Sequence, residues 1–207
     1  MRPRRWPWIL AACLAALLLA LAFRFDAVGI EWVQGHQNSR LLAFMRGVSR
    51  WGDWPEHVIL ALIGALIAYA LGSRRWIMIF VAMVIACALA GGTNRVLKIA
   101  TGRARPTVTQ NAGFHGPRLA AKYNSFPSGH TAASTAFFGV LLLARRRVGL
   151  ALLPIPVLIA FSRFYLNAHH LSDVVGGAIV GALCALGTWY FLSRNMLDTR
   201  SRPNQFL

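Results

Sequence analysis

Acidic side chains are scarce in this sequence of 207 residues, which has 6 Asp plus Glu against 22 Lys plus Arg. Charged residues of either sign make up only 14% of the chain, whereas soluble domains have roughly 25%. So little charge cannot solvate the surface of a globule in which 57% of the residues are hydrophobic. The composition therefore excludes an ordinary soluble domain and predicts a polytopic membrane protein.

Cysteine is also rare, and the placement of the three cysteines is not that of metal ligands. Cys13, Cys87 and Cys184 all lie inside apolar runs, at spacings unlike those of metal ligands, so we interpret them as packing residues of membrane helices. The sequence shows no basic tail or soluble domain of the kind that binds nucleic acid, and no nucleic-acid partner is expected. The formal charge of +16 suits phosphate groups or anionic lipids instead.

Six apolar runs of about 16 to 22 residues have the length of membrane-spanning helices. They cover residues 6–23, 55–73, 76–97, 129–144, 148–166 and 171–192. We therefore predict an all-α integral membrane protein with six transmembrane helices, folded as one domain over residues 1–207. The first run also fits a cleaved signal peptide, because it follows Arg2, Arg4 and Arg5 and contains Ala20-Leu21-Ala22.

The loops between these runs predict the orientation of the chain. Arg74-Arg75 separates the second and third runs, and Arg145-Arg146-Arg147 separates the fourth and fifth. Short loops rich in arginine stay on the cytoplasmic side, so both termini are expected there and the segments 24–54, 98–128 and 167–170 outside. Five cations expected on the outer side cluster around one connection, which indicates that they serve a purpose other than orienting the chain: Arg95, Lys98, Arg103, Arg105 and Arg118.

The first outer segment, residues 24–54, mixes aromatic and cationic side chains. Trp32 and Trp51 stand among Arg40, Arg46 and Arg50. This pattern predicts a helix that lies in the membrane interface, with a plain connecting loop as the alternative.

Polar and ionisable residues gather at the outer ends of the last four runs, where the six-span arrangement places them at one membrane surface. They are Lys98, Arg103, Arg105, Ser128, Gly129, His130, Arg163, His169, His170 and Asp173. Ionisable groups at the ends of membrane helices cost free energy unless they are paired, so their clustering indicates a functional site.

The composition of this cluster is that of a site for a tetrahedral oxyanion. Arginine binds phosphate bidentately and keeps its charge at any working pH. Ser128 and Gly129, at the predicted start of a helix, add backbone N–H groups and a close backbone approach. Separate histidines supply what phosphoryl transfer without a metal requires, a nucleophile and a proton donor for the leaving oxygen.

The spacing of the histidines leaves the identity of the nucleophile open. His169 precedes Asp173 by four residues and His170 precedes it by three, and both separations bring two side chains together on a helix. A carboxylate in that position holds one imidazole tautomer and leaves the other ring nitrogen free to attack phosphorus. Helical geometry does not choose between the two neighbours.

Three ordered motifs contain these residues. They are Lys98-x6-Arg105-Pro106, Pro127-Ser128-Gly129-His130 and Ser162-Arg163-x5-His169-x3-Asp173. In residue type and spacing they resemble the signature of the type 2 phosphatidic acid phosphatase superfamily, which vanadium haloperoxidases and glucose 6-phosphatase share. The resemblance covers a motif core of residues 98–173, and the six-span arrangement is similar to that of bacterial lipid phosphatases of this superfamily.

The resemblance implies a role for each matching residue. His169 would be the nucleophile that forms a phosphohistidine, Asp173 its orienting partner, and His130 the general acid that later activates water. The phosphate oxygens would be bound by Lys98, Arg105, Ser128, Gly129 and Arg163. No metal or cofactor is implied. Five polar residues lie outside the motifs, and we expect solvated loop residues there, with a part in substrate entry as the alternative: Arg103, His115, Lys122, Asn124 and His170.

The implied function is that of an integral membrane lipid phosphatase, active on the extracytoplasmic face of a bacterial inner membrane. Undecaprenyl pyrophosphate is the favoured substrate by this analogy, followed by phosphatidylglycerophosphate, phosphatidate and a lipid A phosphate. Two alternatives stay open. A lipid phosphotransferase would pass the same intermediate to an acceptor lipid, and an anion transporter would use the cations at the helix ends for passage.

Overall fold

The computed structural model describes residues 6–108, 110 and 112–198, with side chains up to Ser193. This part of the chain forms nine α-helices and a 3-10 turn at Ala121–Tyr123. The helices are α1 (Trp6–Arg24), α2 (Asp26–Gly35), α3 (Ser39–Arg50), α4 (Trp54–Ala70), α5 (Arg74–Thr101), α6 (Gly129–Ala144), α7 (Arg146–Leu152), α8 (Pro154–Tyr165) and α9 (Leu171–Asp198). The predicted all-α class is confirmed.

Each predicted span corresponds to a helix or a helix pair, but not every helix is long enough to cross a membrane alone. Among the described residues, four candidates pass by length and composition: Trp6–Arg24, Arg74–Thr101, Arg146–Tyr165 and Leu171–Ser193. The pair α3 and α4 passes only together, with a bend of 58° between them. Because α4 has 17 residues and α6 has 16, the structure supports four or five spans, and six crossings stay a prediction.

Helix α6 lies at the centre of the bundle, in contact with α4, α5, α7, α8 and α9. Glycines of α9 allow a close approach to α6: a Cβ added to Gly177 would lie 2.5 Å from the Ser128 carbonyl oxygen, and one on Gly181 would lie 2.5 Å from that of Ala132. The Ser128 N–H also donates to the Asp173 carbonyl oxygen at 2.8 Å. This packing fixes the start of α9 against the start of α6.

The two arginine-rich loops meet at one end of the bundle. The Arg145 guanidinium lies over the Trp76 ring, 5.2 Å from its centroid and next to Arg74-Arg75. From there α5 continues for 28 residues, roughly 42 Å at the helical rise, and ends at Gly102. Gly102 has a φ of 53°, and a Cβ there would collide with the Gly116 carbonyl oxygen, so glycine is needed to end the helix. The motif residues lie at this second end.

Two helices, α2 and α3, occupy the segment in which an interfacial helix is predicted. Helix α3 packs against α8 and buries Met45 and Ser49, whereas Phe44 and Arg46 are exposed. Its first turn is capped by the Asn38 side chain, which accepts a hydrogen bond from the N–H of Leu41 at 2.8 Å. An amphipathic helix is therefore present, and its position in the membrane interface stays a prediction.

The three cysteines are free thiols in different surroundings. Cys87 is buried in the core and Cys184 is partly buried, as expected of packing residues. Cys13 lies on the exposed face of α1, so the packing role predicted for it is wrong.

Candidate active site

The predicted site residues converge at the end of the bundle marked by Gly102. They come from the end of α5, the loop after it, the start of α6, the end of α8 and the entry to α9. Lys98 is central to the group, because its ammonium interacts electrostatically with Arg105, His130, Arg163, His169 and Asp173. Ser128 and Gly129 adjoin it at the start of α6.

Asp173 is fully buried and accepts hydrogen bonds on both carboxylate oxygens. Oδ1 accepts from Nη1 of Arg103 at 2.6 Å. Oδ2 accepts from the Ser125 hydroxyl at 2.5 Å and from the backbone N–H of His170 at 2.9 Å. A buried charge requires partners of this kind, since a carboxylate without them is strongly destabilising.

Both candidate nucleophiles face Oδ2 of Asp173. Nδ1 of His170 lies 3.1 Å away, a hydrogen bond, whereas Nδ1 of His169 lies 3.4 Å away and falls short of one. Nδ1 of His169 has no other partner among the residues that the structure describes. The side chains differ in burial, with 3% of His169 and 15% of His170 exposed. The distances alone do not select the nucleophile.

The surroundings of His169 keep its imidazole neutral. Burial lowers the pKa of His169 to about 3, because desolvation of the imidazolium outweighs the attraction of the nearby Asp173 carboxylate, which favours the charged form. The positive charges of Lys98 and Arg163 lower this pKa further. A neutral imidazole has a free lone pair at physiological pH, which is the state that a nucleophile needs.

The cations retain donors for an anion. Within the described residues, the buried Nε atoms of Arg105 and Arg163 have no hydrogen-bond partner. Nη1 of Arg163 donates to the Ser49 hydroxyl of α3 at 2.5 Å. Lys98 directs its ammonium to two backbone carbonyls, at 2.5 and 3.4 Å, which leaves one of its three N–H donors. Donors and positive charge together suit a phosphate group.

The start of α6 contributes to the same pocket. A Cβ on Gly129 would come within 3.2 Å of Nδ2 of Asn94 and 3.9 Å of Cε of Lys98, so a side chain would crowd the space beside the cation. The buried Ser128 hydroxyl accepts a hydrogen bond from the Thr131 hydroxyl at 3.1 Å. First-turn N–H groups of a helix have no acceptor within it, so this helix start favours a bound anion.

His130 has an acidic neighbour that the motifs do not indicate. Its Nε2 lies 3.4 Å from Oδ1 of Asp53, a residue just before α4. The side chains of His130 and Asp53 are 21% and 55% exposed, so protons can exchange with water there. Nδ1 of His57 donates to the Asp53 carbonyl oxygen at 2.6 Å and holds this turn in place.

Arg103 is not the solvated loop residue predicted from the sequence. It is 6% exposed, and its Nη2 donates to Oδ2 of Asp26 at 2.7 Å while Nη1 binds Asp173. The rings of Phe23 and Phe114 lie 5.1 and 5.0 Å from its guanidinium carbon. The prediction failed because Asp26 and Phe23 come from a distant part of the sequence. A signal was nevertheless present, since an acidic residue beside a membrane helix requires a partner.

The other residues predicted to be solvated differ from one another. Asn124 is buried and its carbonyl binds Lys98, and His170 is mostly buried against Asp173, so both predictions are wrong. Lys122 is exposed, as predicted, and His115 packs half-buried against Tyr123. The contributions of Ser49, Asp53 and Ser125 were also missed, because serine and aspartate outside a motif give no pattern to detect.

Comparison with known proteins identifies the family of this chain. A family model described as the PAP2 superfamily matches residues 76–197, which is more than half of the sequence. The chain belongs to the PAP2 superfamily. This confirms the resemblance carried by the three motifs, because PAP2 is the type 2 phosphatidic acid phosphatase superfamily.

Two curated relatives show the range of proteins similar to this PAP2 chain. It is 34% identical over 155 residues to a decaprenylphosphoryl-5-phosphoribose phosphatase of Mycobacterium tuberculosis, covering 69% of this chain and 75% of that one. It is 32% identical over 115 residues to a lipid A 1-phosphatase of Rhizobium johnstonii, covering 53% of this chain and 46% of the relative. The match thus spans less than half the length of that lipid A 1-phosphatase.

Two solved structures share the fold. A transmembrane PAP2-type phosphatidylglycerolphosphate phosphatase from Bacillus subtilis superposes with a TM-score of 0.63 at 20% identity, covering 96% of this chain and 98% of that one. LpxE from Aquifex aeolicus superposes with a TM-score of 0.57 at 19% identity, covering 80% and 95%. Together with the candidate spans, these likenesses describe a multi-pass membrane protein with the PAP2 fold.

Proposed function

We propose that this PAP2 chain is a lipid phosphatase that hydrolyses a lipid phosphate or pyrophosphate at the extracytoplasmic face, through a phosphohistidine on His169. One observation carries the proposal: the buried, neutral imidazole of His169 lies 3.4 Å from the Asp173 carboxylate and within electrostatic reach of Lys98 and Arg163. Lys98 interacts in turn with Arg105. That arrangement combines a nucleophile, its orienting group and charge stabilisation for the phosphoryl oxygens.

In the first step the three cations and the start of α6 bind the phosphate oxygens. Nε2 of His169 attacks phosphorus while Asp173 holds the proton on Nδ1. His130 donates a proton to the lipid oxygen that leaves, so a P–N bond forms as a P–O bond breaks. The cations stabilise the negative charge that the phosphoryl oxygens carry in the transition state, and the proposal therefore requires no metal ion.

In the second step water replaces the lipid. His130, now neutral, takes a proton from a water molecule, whose oxygen attacks phosphorus and breaks the P–N bond. Phosphate leaves, and His130 and His169 return to their starting protonation states. If an acceptor lipid entered in place of water, the same intermediate would give phosphotransfer.

An apolar cleft of about 400 Å³ supports a substrate with a hydrocarbon chain. It lies among α6, α8 and α9 and begins at Thr131, one residue after His130. Its wall includes Thr135, Phe138, Pro156, Val157, Ala160, Ala178 and Ala182. Because Thr131 also contacts the Ser128 hydroxyl, the cleft adjoins the phosphate pocket, and a chain attached to a bound phosphate would lie along it.

Exposed tryptophans support entry from the bilayer. Trp51 and Trp54 are 68% and 63% exposed and flank Asp53, the neighbour of His130. Tryptophan favours the membrane interface, so we place this turn and α3 at the headgroup level, beside the entrance.

Among lipid phosphates we favour undecaprenyl pyrophosphate, followed by phosphatidylglycerophosphate, phosphatidate and a lipid A phosphate. The Mycobacterium tuberculosis relative, of which this chain covers 75%, is named for a decaprenyl lipid, and that supports a polyprenyl substrate here. The site residues would bind the phosphate of each of these lipids, so the ranking rests on analogy.

The test is phosphate release by the purified protein, in the presence of EDTA, from a panel of these lipids with long and short chains. We expect release in EDTA, with catalytic efficiency rising with chain length by up to about fourfold per methylene, the equivalent of ~0.8 kcal/mol. Equal efficiency on a soluble sugar phosphate would contradict the lipid assignment. Label transfer to an added lipid would favour the phosphotransferase, and anion flux without phosphate release would favour a transporter.

A further inference from the structure

A buried charged network connects the far side of Asp173 to the start of α2. Nη1 of Arg103 donates to Oδ1 of Asp173 and to the Ser172 hydroxyl, each at 2.6 Å, and Nη2 donates to Asp26 at 2.7 Å. Asp26 accepts the Ser172 N–H at 2.9 Å and the Ser172 hydroxyl at 2.6 Å. All four residues are buried, with Ser172 and Asp173 at 0% exposure.

The surroundings of Arg103 leave little of its guanidinium for a substrate. The Phe23 and Phe114 rings contact it, and its Nη atoms donate to Asp26, Ser172 and Asp173. By contrast, Arg105 and Arg163 each retain an Nε donor without a partner within the described residues. Arg103 therefore binds carboxylates of the protein, those of Asp26 and Asp173.

The two oxygens of Asp173 have separate partners. Arg103 binds Oδ1, whereas Ser125 and the two imidazoles of His169 and His170 lie at Oδ2. A carboxylate bound at one oxygen cannot rotate freely about its side-chain bond, so the ion pair with Arg103 keeps Oδ2 towards the histidines. Asp26 holds Arg103 in turn, because it accepts a hydrogen bond from Nη2 of the guanidinium.

We propose that Arg103 and Asp26 are positioning residues, which fix the Asp173 carboxylate and thereby the Nδ1-protonated tautomer of His169. The inference rests on the proposed function, in which His169 is the nucleophile. Neither residue touches the phosphate. Their effect reaches the reaction through Asp173, in the same way that partners behind a metal-bound histidine set its tautomer and orientation.

The kinetic test uses Arg103→Gln, Arg103→Lys and Asp26→Asn, with Arg118→Gln as the matched control from the same loop, where Arg118 is exposed. We expect Arg103→Gln to lower kcat by about 10- to 100-fold, by analogy with the partners that orient metal-binding histidines, with KM within about threefold. Arg103→Lys keeps the charge and should recover part of the lost kcat. The kcat of Asp26→Asn should lie between those of Arg103→Gln and the wild type, and the kcat of the control should match the wild type.

A double-mutant cycle separates positioning from general damage to the fold. In an Asp173→Asn background, Arg103→Gln should add less than about threefold to the loss in phosphoenzyme formation from nitrophenyl phosphate, because residues acting through one another are not additive. General damage would reduce the rate by the same factor in both backgrounds, and that result would overturn the proposal. A raised KM with unchanged kcat would also overturn it.

A measurement without substrate keeps the inference apart from the proposed function. In protein labelled with ¹⁵N-histidine, His169 should give the Nδ1-protonated tautomer in the wild type and in Arg118→Gln, and a mixture of tautomers in Arg103→Gln. An unchanged tautomer in Arg103→Gln would overturn the inference. If the wild type released phosphate from no lipid, the proposed function would fail, and this comparison would still decide the role of Arg103.

Discussion

Nδ1 of His169 lies 3.4 Å from Oδ2 of Asp173, so a small movement completes the contact that leaves Nε2 as the nucleophilic nitrogen. His170 reaches the same oxygen at 3.1 Å. The two imidazoles share one acceptor, and burial distinguishes them better than distance does.

Replacing His169 and replacing His170 should have different effects on activity. His169→Ala should abolish both turnover and the acid-labile phosphoenzyme, because no other nitrogen replaces the attacking one. His170→Ala should keep substantial turnover. Trapping of radiolabelled phosphate from the substrate on denatured protein measures the intermediate in each variant. A phosphoenzyme that survives in His169→Ala and disappears in His170→Ala would assign the nucleophile to His170.

The low pKa of His169 predicts a flat pH profile for its phosphorylation. An imidazole with its pKa lowered to about 3 stays neutral down to acidic pH, so nucleophilicity is lost only as pH falls towards that value. With an ordinary imidazole, whose pKa is near 6.5, the neutral fraction and therefore the rate would fall about fourfold between roughly pH 7.5 and 6. The measurement is the rate of phosphoenzyme formation from nitrophenyl phosphate in His130→Ala, which removes the proposed general acid. A fourfold decline would contradict the buried, neutral state.

The proposed role of His130 as general acid predicts a dependence on the leaving group. His130→Ala should slow hydrolysis of lipid phosphates strongly, because the lipid alkoxide needs a proton as it leaves. Nitrophenyl phosphate should be affected much less, since nitrophenolate leaves without one. The ratio of the two rate losses is the quantity to measure, with Asp53→Asn as a second variant. Equal losses on both substrates would argue against proton donation by His130.

The proposed phosphate-binding role of Arg105 predicts a large loss of rate when this residue is replaced. By analogy with the removal of one oxyanion-hole donor, Arg105→Ala should cost about 2.7–4 kcal/mol, or about 100- to 1000-fold in kcat. Arg118→Ala, an exposed arginine in the same connection, is the control and should retain wild-type activity. A loss below about tenfold for Arg105→Ala would remove it from the phosphate site.

The proposed sidedness predicts the labelling of single cysteines in intact cells. After replacement of the three native cysteines, Ala120→Cys should react with an impermeant thiol reagent, whereas Arg75→Cys should not. Both positions are exposed, and α5 separates the ends of the bundle to which they belong. Reaction at residue 75 with protection at residue 120 would reverse the topology.

Much of the fold was predictable because its signals are local. The lengths of apolar runs and the charges between them indicate helices and their ends, and each of the six runs corresponds to a helix or helix pair. The division of residues 24–54 into α2 and α3, and of 146–165 into α7 and α8, was missed. Local signals were present, because Asn38 caps α3 and Pro154 stands at the start of α8. Short helices such as α6 also leave the number of crossings undetermined by length alone.

The sequence by itself determined the family and the set of candidate site residues, since motif spacing such as that from Arg163 to His169 and Asp173 is a property of the linear chain. The tertiary structure decided which other residues join them. Arg103 binds Asp26 across 77 residues and Arg163 binds Ser49 across 114, pairings that no local pattern encodes. They form because segments at this end of the bundle fold over the ends of the packed helices, where a buried charge is stable only beside its partner.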